Sequence, residues 1–162
     1  MGHAIFKEVL SRILPRIKKQ DTFYRKALTP ALKLSFTLRY LASGDSDHSL
    51  MYGFRVHHKT ISLAIREVCE TITAEYADEA IQAPTTELQW RDIAEQFSTR
   101  WQFRHCLGAL DGKDIRIQCL AHGGSDYYNY NGYHSIILIA LVDADYKFSW
   151  VDVGSNGSAG DA

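Results

Sequence analysis

Cysteine, proline, long apolar runs and any large net charge are all scarce in this sequence, and each scarcity excludes something. The three cysteines, Cys69, Cys106 and Cys119, are an odd number in apolar or strand-like settings. That argues against a disulfide framework and for reduced thiols in the cytosol or nucleus. No CxxC pair occurs, and Cys106 and Cys119 lie far apart in the sequence. The set His105, Cys106, Cys119 and His122 therefore does not read as a zinc site. Nothing approaches the ~18 uninterrupted apolar residues of a membrane span. Met1 to Lys19 alternates apolar with basic residues instead of showing a charged start, an apolar stretch and a cleavage site. The expectation is a chain that is neither secreted nor membrane-embedded.

Net charge is −1 over 162 residues, so the whole-chain value points to no partner class. Its distribution says more. Residues 1 to 40 carry nine Lys or Arg against two acids, and 67 to 100 carry eight acids against two Arg. The basic end can face phosphate, or Lys7, Arg12, Arg16, Lys18 and Lys19 can be the solvated face of an amphipathic helix. With 46% hydrophobic and 23% charged residues, the composition is that of a folded chain with one good core or two small ones.

Ile5, Phe6, Val9, Leu10, Ile13, Leu14 and Ile17 recur at helical spacing and predict a helix over 4–19, with Pro15 a kink or an early end. Thr29-Pro30 predicts the next start, a capping Thr before Pro at the first helical position. That helix should bury Leu34, Leu38 and Leu41 and stop at Ser43-Gly44. A short helix should follow Asp45 or Ser46 with Leu50, Met51 and Phe54 apolar, and another should run through Ile61, Ile65, Val68, Cys69, Ile72 and Tyr76. Residues 77–89 are acidic and turn-rich. Thr86 and Gln89 then form a capping-box pattern before a helix bearing Trp90, Ile93, Ala94 and Phe97. Beyond Trp101 the period changes. Cys106–Ala109, Ile115–Ile117, Ser135–Val142 and Phe148–Val153 read as strands, the last two joined by a tight turn at Asp143–Tyr146. The division expected is a helical region over 1–80, a linker and connecting helix over 81–100, and a strand-rich part over 101–162.

Three segments could carry chemistry. Residues 45–70 have the pattern of a helix-turn-helix, with Lys59, Thr60, Ser62 and Arg66 available to DNA and Ile61, Ile65 and Val68 on the reverse face. Any packed helix pair gives a similar pattern. In Gly108-Ala-Leu-Asp-Gly-Lys-Asp-Ile-Arg-Ile117, Asp111 stands where an apolar strand meets glycine, a place that exposes a carboxylate to a hard cation such as Mg²⁺. The bland alternative is a turn aspartate bonding its own backbone. Asp114, three positions on, should point to the other face. The rings of Tyr127 to His134 could stack on unpaired bases, but a tyrosine-rich lead into a strand more often packs over a sheet. At the end of the sequence, Ser158 and Asp161 look like a helix start, and a chain ending just past it looks cut short.

Taken in order, several motifs resemble the PIF/Harbinger transposases and the Harbinger transposase-derived nucleases. They are Leu38-Arg-Tyr-Leu-Ala-Ser-Gly-Asp-Ser46, Ser49-Leu50, Phe54-Arg55-Val56, Thr60-Ile61-Ser62, Trp101-Gln-Phe103 and Gly108-Ala-Leu-Asp-Gly-Lys113. Gly132-Tyr-His-Ser-Ile136, Val142-Asp-Ala-Asp145 and Val151-Asp-Val-Gly154 to Asp161 continue the series. The resemblance runs from about Thr22 onward. It implies an α+β chain in which a helical N-terminal region with a helix-turn-helix precedes a truncated ribonuclease-H-like (DDE) α/β core. It implies a metal-dependent DNA endonuclease that hydrolyses phosphodiester bonds, with Asp111 and Asp161 as catalytic acids and ligands of Mg²⁺ or Mn²⁺. Further acids of the family, the closing Glu among them, have no counterpart here, which predicts an inactive nuclease. DNA and a Myb-like DNA-binding protein are the implied partners, and the nucleus, with the cytoplasm second, the implied compartment. Arg104, Asp47, Asp114 and Gly160 depart from the family's usual residues. The alternative reading is a non-catalytic DNA-binding or protein-interaction remnant of a domesticated or decaying transposase.

Overall fold

The computed structural model describes residues 2–120 and 123–159 and has an α+β architecture. It divides into two units, Met1–Ala77 and Asp78–Ala162. Among the described residues no helix is long and apolar enough to cross a membrane.

The first unit is helical: α1 (His3–Ile17), α2 (Pro30–Ser43), α3 (Asp47–Phe54) and the start of α4 (His58–Ala80). Local chemistry sets most of these ends. The Thr29 hydroxyl accepts from Leu32 N–H at 3.3 Å with Pro30 just behind it, and Gly44 closes α2 in the left-handed region at φ 67°. Ser46 caps α3 by accepting from Ser49 N–H at 3.2 Å. Pro15 falls in the last turn of α1, and the helix ends two residues later at Ile17.

α2 lies between two apolar clusters. Phe36 joins Leu50, Val56, Ile61, Ala64 and Ile65 on one side, and Leu34 joins Ile13, Ile17 and Val68 on the other. The expected stripe of Leu34, Leu38 and Leu41 is thus only partly realised. Leu38 is half-buried and Leu41 is exposed, while Phe36 and Thr37 are fully buried. A helix covered on two sides buries residues off its main stripe, and a single-stripe reading misses them. The same enclosure buries Lys33. Its Nζ donates to Ile17 O at 2.9 Å and to Glu67 Oε2 at 2.7 Å, and Glu67 Oε1 takes Lys19 at 3.0 Å.

The second unit begins with the end of α4 and continues with α5 (Glu87–Trp101), β1 (Ala109–Arg116), β2 (Ser135–Val142) and β3 (Phe148–Asn156). The turn-rich stretch starts later than its composition suggests, because α4 runs to Ala80. The capping box forms in full: Gln89 N–H donates to Thr86 Oγ1 at 3.3 Å, and Thr86 N–H donates to Gln89 Oε1 at 3.1 Å. The three strands make an antiparallel meander with β2 central. Asp143 Oδ1 accepts from Asp145 N–H and Lys147 N–H at 2.8 and 2.9 Å and so builds the predicted β2–β3 turn. α5 is tied to that turn by Trp101 Nε1–H donating to Ala144 O at 3.1 Å and by an Arg100–Asp145 ion pair.

One strand boundary differs from the sequence reading. Cys106–Ala109 and Ile115–Ile117 are not separate runs. A single strand, β1, passes from Ala109 to Arg116 with unbroken register against Val142 to Ser135. Glycine weakens a strand but does not interrupt pairing when the neighbouring strand supplies every partner. Asp111-Gly112 therefore lies inside the ladder, not at a strand end.

Candidate functional site

The first unit presents the α3–α4 pair. Arg55, in the left-handed region at φ 54°, ends α3, and Val56 anchors the turn in the core. His57 begins the next helix: its carbonyl accepts from Thr60 and Ile61 N–H, and its Nδ1 accepts from Lys59 N–H at 3.3 Å. Along α4, Ile61, Ala64, Ile65 and Val68 are buried, and Lys59, Ser62 and Arg66 are exposed. Positions 59, 62 and 66 differ by three and seven and so share one helix face. Thr60 is half-buried and belongs to the adjacent stripe with Leu63 and Glu67, lining a cavity with the α1–α2 loop. The structure thus groups three of the four expected DNA-contacting residues and turns the fourth elsewhere.

At the base of α4, the His58 ring stacks on His48 and lies against His57, both at 4.4 Å between centroids. Desolvation, with the neighbouring His48, His57 and Lys59 charges, holds the His58 imidazole below its ordinary pKa despite the opposing effect of Asp47. Nearer the middle of α4, burial pushes the Glu67 carboxyl up, but the hydrogen bonds and charges of Lys33 and Lys19 outweigh it and hold the group below the usual carboxylate value.

In the second unit, Asp111 is exposed on the outer strand β1, opposite Ala140 of β2. Its Oδ1 accepts from Gly112 N–H at 2.9 Å. The bond to its own neighbour is the one anticipated for a turn aspartate, here made within a strand. Asp114 points to the opposite face, as strand alternation requires, where it accepts from Ser135 Oγ at 2.6 Å. Asp161 lies outside the described residues. Among those described, no group of three or more His, Cys, Asp or Glu could hold a metal ion.

A feature the sequence reading passed over lies behind Asp114. Asn129 Nδ2 donates to Ser135 Oγ at 3.1 Å, and Asn129 Oδ1 accepts from Tyr133 N–H at 3.2 Å. Asn129 and Ser135 are both buried. This polar chain fixes the 123–134 loop on the start of β2, and Gly157 closes over it so tightly that a Cβ there would stand 2.1 Å from Ser135 Oγ. The signal available was Asn129 followed by Gly132 within a tyrosine run, a turn signature that predicts local bonding but not its distant acceptor. The rings divide: Tyr133 lies under the Arg116 guanidinium at 5.2 Å, and Tyr130 is exposed.

Comparison with known protein families, curated proteins and solved structures finds no match.

Proposed function

We propose that the chain is a DNA-binding protein of Harbinger transposase descent, with α3 and α4 acting as a helix-turn-helix on duplex DNA. The observation that carries this reading is the exposed stripe of Lys59, Ser62 and Arg66 at the start of α4, backed by buried Ile61, Ile65 and Val68. A helix entering the major groove needs cationic and short polar side chains near its start and apolar ones behind. Arg66 and Lys59 supply charge for phosphate or base edges, and Ser62 between them lets the backbone come close. The nucleus as the place of action and a Myb-like partner protein belong to the same proposal.

The test is fluorescence anisotropy of the full chain with duplex DNA over a range of salt. Replacing Lys59 and Arg66 together with Gln should weaken binding by about tenfold or more and reduce the salt slope by about two. Affinity that ignores salt would sink the reading.

Asp111 supports a second and compatible reading, a metal-dependent endonuclease core of ribonuclease-H-like type working with Asp161 and Mg²⁺ or Mn²⁺. Its support is the ordered motifs and a solvent-open carboxylate on an outer strand. Two-metal hydrolysis needs carboxylates on both ions. Asp111 lacks a second carboxylate on its own face among the described strand residues, so no catalytic step follows from it alone. Nicking of supercoiled plasmid with Mn²⁺, wild type beside Asp111→Ala, decides the matter; equal nicking by both rejects the catalytic role.

A further inference from the structure

The loop between α1 and α2 and the flank of α4 line an open cleft of about 490 Å³, within the roughly 300–1,000 Å³ of small-molecule sites. Its lining is chemically divided. Leu28, Leu63 and Ala64 give it an apolar wall, and Lys19, Arg25, Lys26 and Lys33 give it four cations against one acid, Glu67. That acid is already engaged, because its two oxygens accept from Lys19 and from the buried Lys33. Among the described residues, Arg25 and Lys26, at the exposed mouth, have no further acid of the lining to pair with. Arg25 is held in place by a tight turn in which Thr22 and Arg25 exchange backbone bonds at 2.9 and 3.2 Å. Asp21 in the same loop is occupied in bonding Ala27 N–H at 2.8 Å. The tip of the turn carries Phe23 and Tyr24, edge to face at 5.2 Å and almost wholly exposed.

We propose that this cavity binds a small phosphate-bearing ligand with a flat aromatic ring, a nucleoside monophosphate in its chemistry. The phosphate lies against Arg25 and Lys26, where the guanidinium fork suits two phosphate oxygens at once. The ring rests on Leu28, Leu63 and Ala64. A free nucleotide and the 5′-phosphate end of a DNA strand present the same chemistry. Thr60, turned away from the Lys59 stripe, lines this cavity instead. The proposal does not rest on duplex contact by Lys59, Ser62 and Arg66.

Isothermal titration of the full chain with adenosine monophosphate, adenosine and inorganic phosphate tests it. Adenosine monophosphate should bind with a submillimolar Kd and about tenfold more tightly than either half alone. The exposed pair Arg25→Gln with Lys26→Gln should weaken it about tenfold while the helical circular dichroism stays unchanged, and Leu63→Asp should weaken it as well. Lys59→Gln with Arg66→Gln should leave it alone, which separates this site from the duplex-binding face. Short single strands with and without a 5′-phosphate assign the source. Preference for the phosphorylated strand over the free nucleotide points to a DNA end, and the reverse to a free nucleotide. No binding at millimolar concentration, equal binding of adenosine, or indifference to the Arg25 and Lys26 changes would overturn the proposal.

Discussion

The two units are built on opposite terms. In the first, Ile13, Ile17, Leu34, Phe36, Ile61 and Val68 are wholly withdrawn from water around α2. In the second, the sheet exposes Leu110, Phe148, Trp150 and Val153 by 45 to 67%, and its central strand is only half covered. β2 reads Ser-Ile-Ile-Leu-Ile-Ala-Leu-Val, apolar on both faces, as a strand buried on two sides would. Apolar burial carries the helical unit. Backbone pairing, turn chemistry and the Asn129–Ser135–Asp114 chain carry more of the other. All three tryptophans, Trp90, Trp101 and Trp150, belong to the second unit, so their fluorescence reports it alone.

Phe36→Ala should break the contrast most sharply. Removing a fully buried ring costs about 3–5 kcal/mol, and urea unfolding should lose that in the far-ultraviolet helical signal while the tryptophan transition stays put. Its counterpart Leu110→Ala, at an exposed position, should change tryptophan-detected stability by less than about 0.5 kcal/mol. A comparable loss in both would show that the sheet hides more apolar surface than its exposure suggests.

Glu67→Ala comes next. It leaves the Lys33 ammonium enclosed with only a carbonyl partner, a loss of about 3 kcal/mol for a broken buried pair. The pH dependence has a defined sign. Because the folded carboxyl is held below its ordinary value, its contribution is present above the carboxylate range and disappears as pH falls through the lowered value. Glu67→Gln should therefore flatten the acid limb of the helical unfolding curve; an unchanged limb would rule out the ion pair as its source.

Gly157→Ala sharpens the second unit. A Cβ there meets Ser135 Oγ at 2.1 Å and Tyr127 O at 2.9 Å, so overpacking should cost about 1–3 kcal/mol in the tryptophan transition. If the transition does not move, the polar chain is not what fixes the loop.

The smallest effect concerns His58. Its folded imidazole is held below the ordinary value, so its neutral form supports the helical unit above the imidazole range, and that support is lost as pH falls through it. His58→Gln should make stability between mildly acidic and neutral pH flatter in the helical signal. An unaltered slope would place the titration elsewhere.

Much of the fold was legible because helix ends are decided within a few residues. Thr29-Pro30, Ser43-Gly44, Ser46 and the Thr86–Gln89 box each complete their own hydrogen bonds, and the structure has helices starting or stopping at each. The candidate site was legible in part. The helical period places Lys59, Ser62 and Arg66 together without help from the rest of the chain, but the same period puts Thr60 on another stripe, and residue type alone had grouped it with them.

What the sequence determined by itself is the order of helices then strands, the caps, the turn at Asp143–Tyr146 and the opposite facing of Asp111 and Asp114, all consequences of local bonds or of a fixed period. Tertiary structure alone decided that Phe36 and Lys33 go inside, that Ser135 reaches Asp114 and Asn129, and that β1 runs unbroken through Asp111-Gly112. Those outcomes depend on partners far along the chain. A strand is closed by the carbonyls and amides of its neighbour, and a buried charge is set by the acid across the helix.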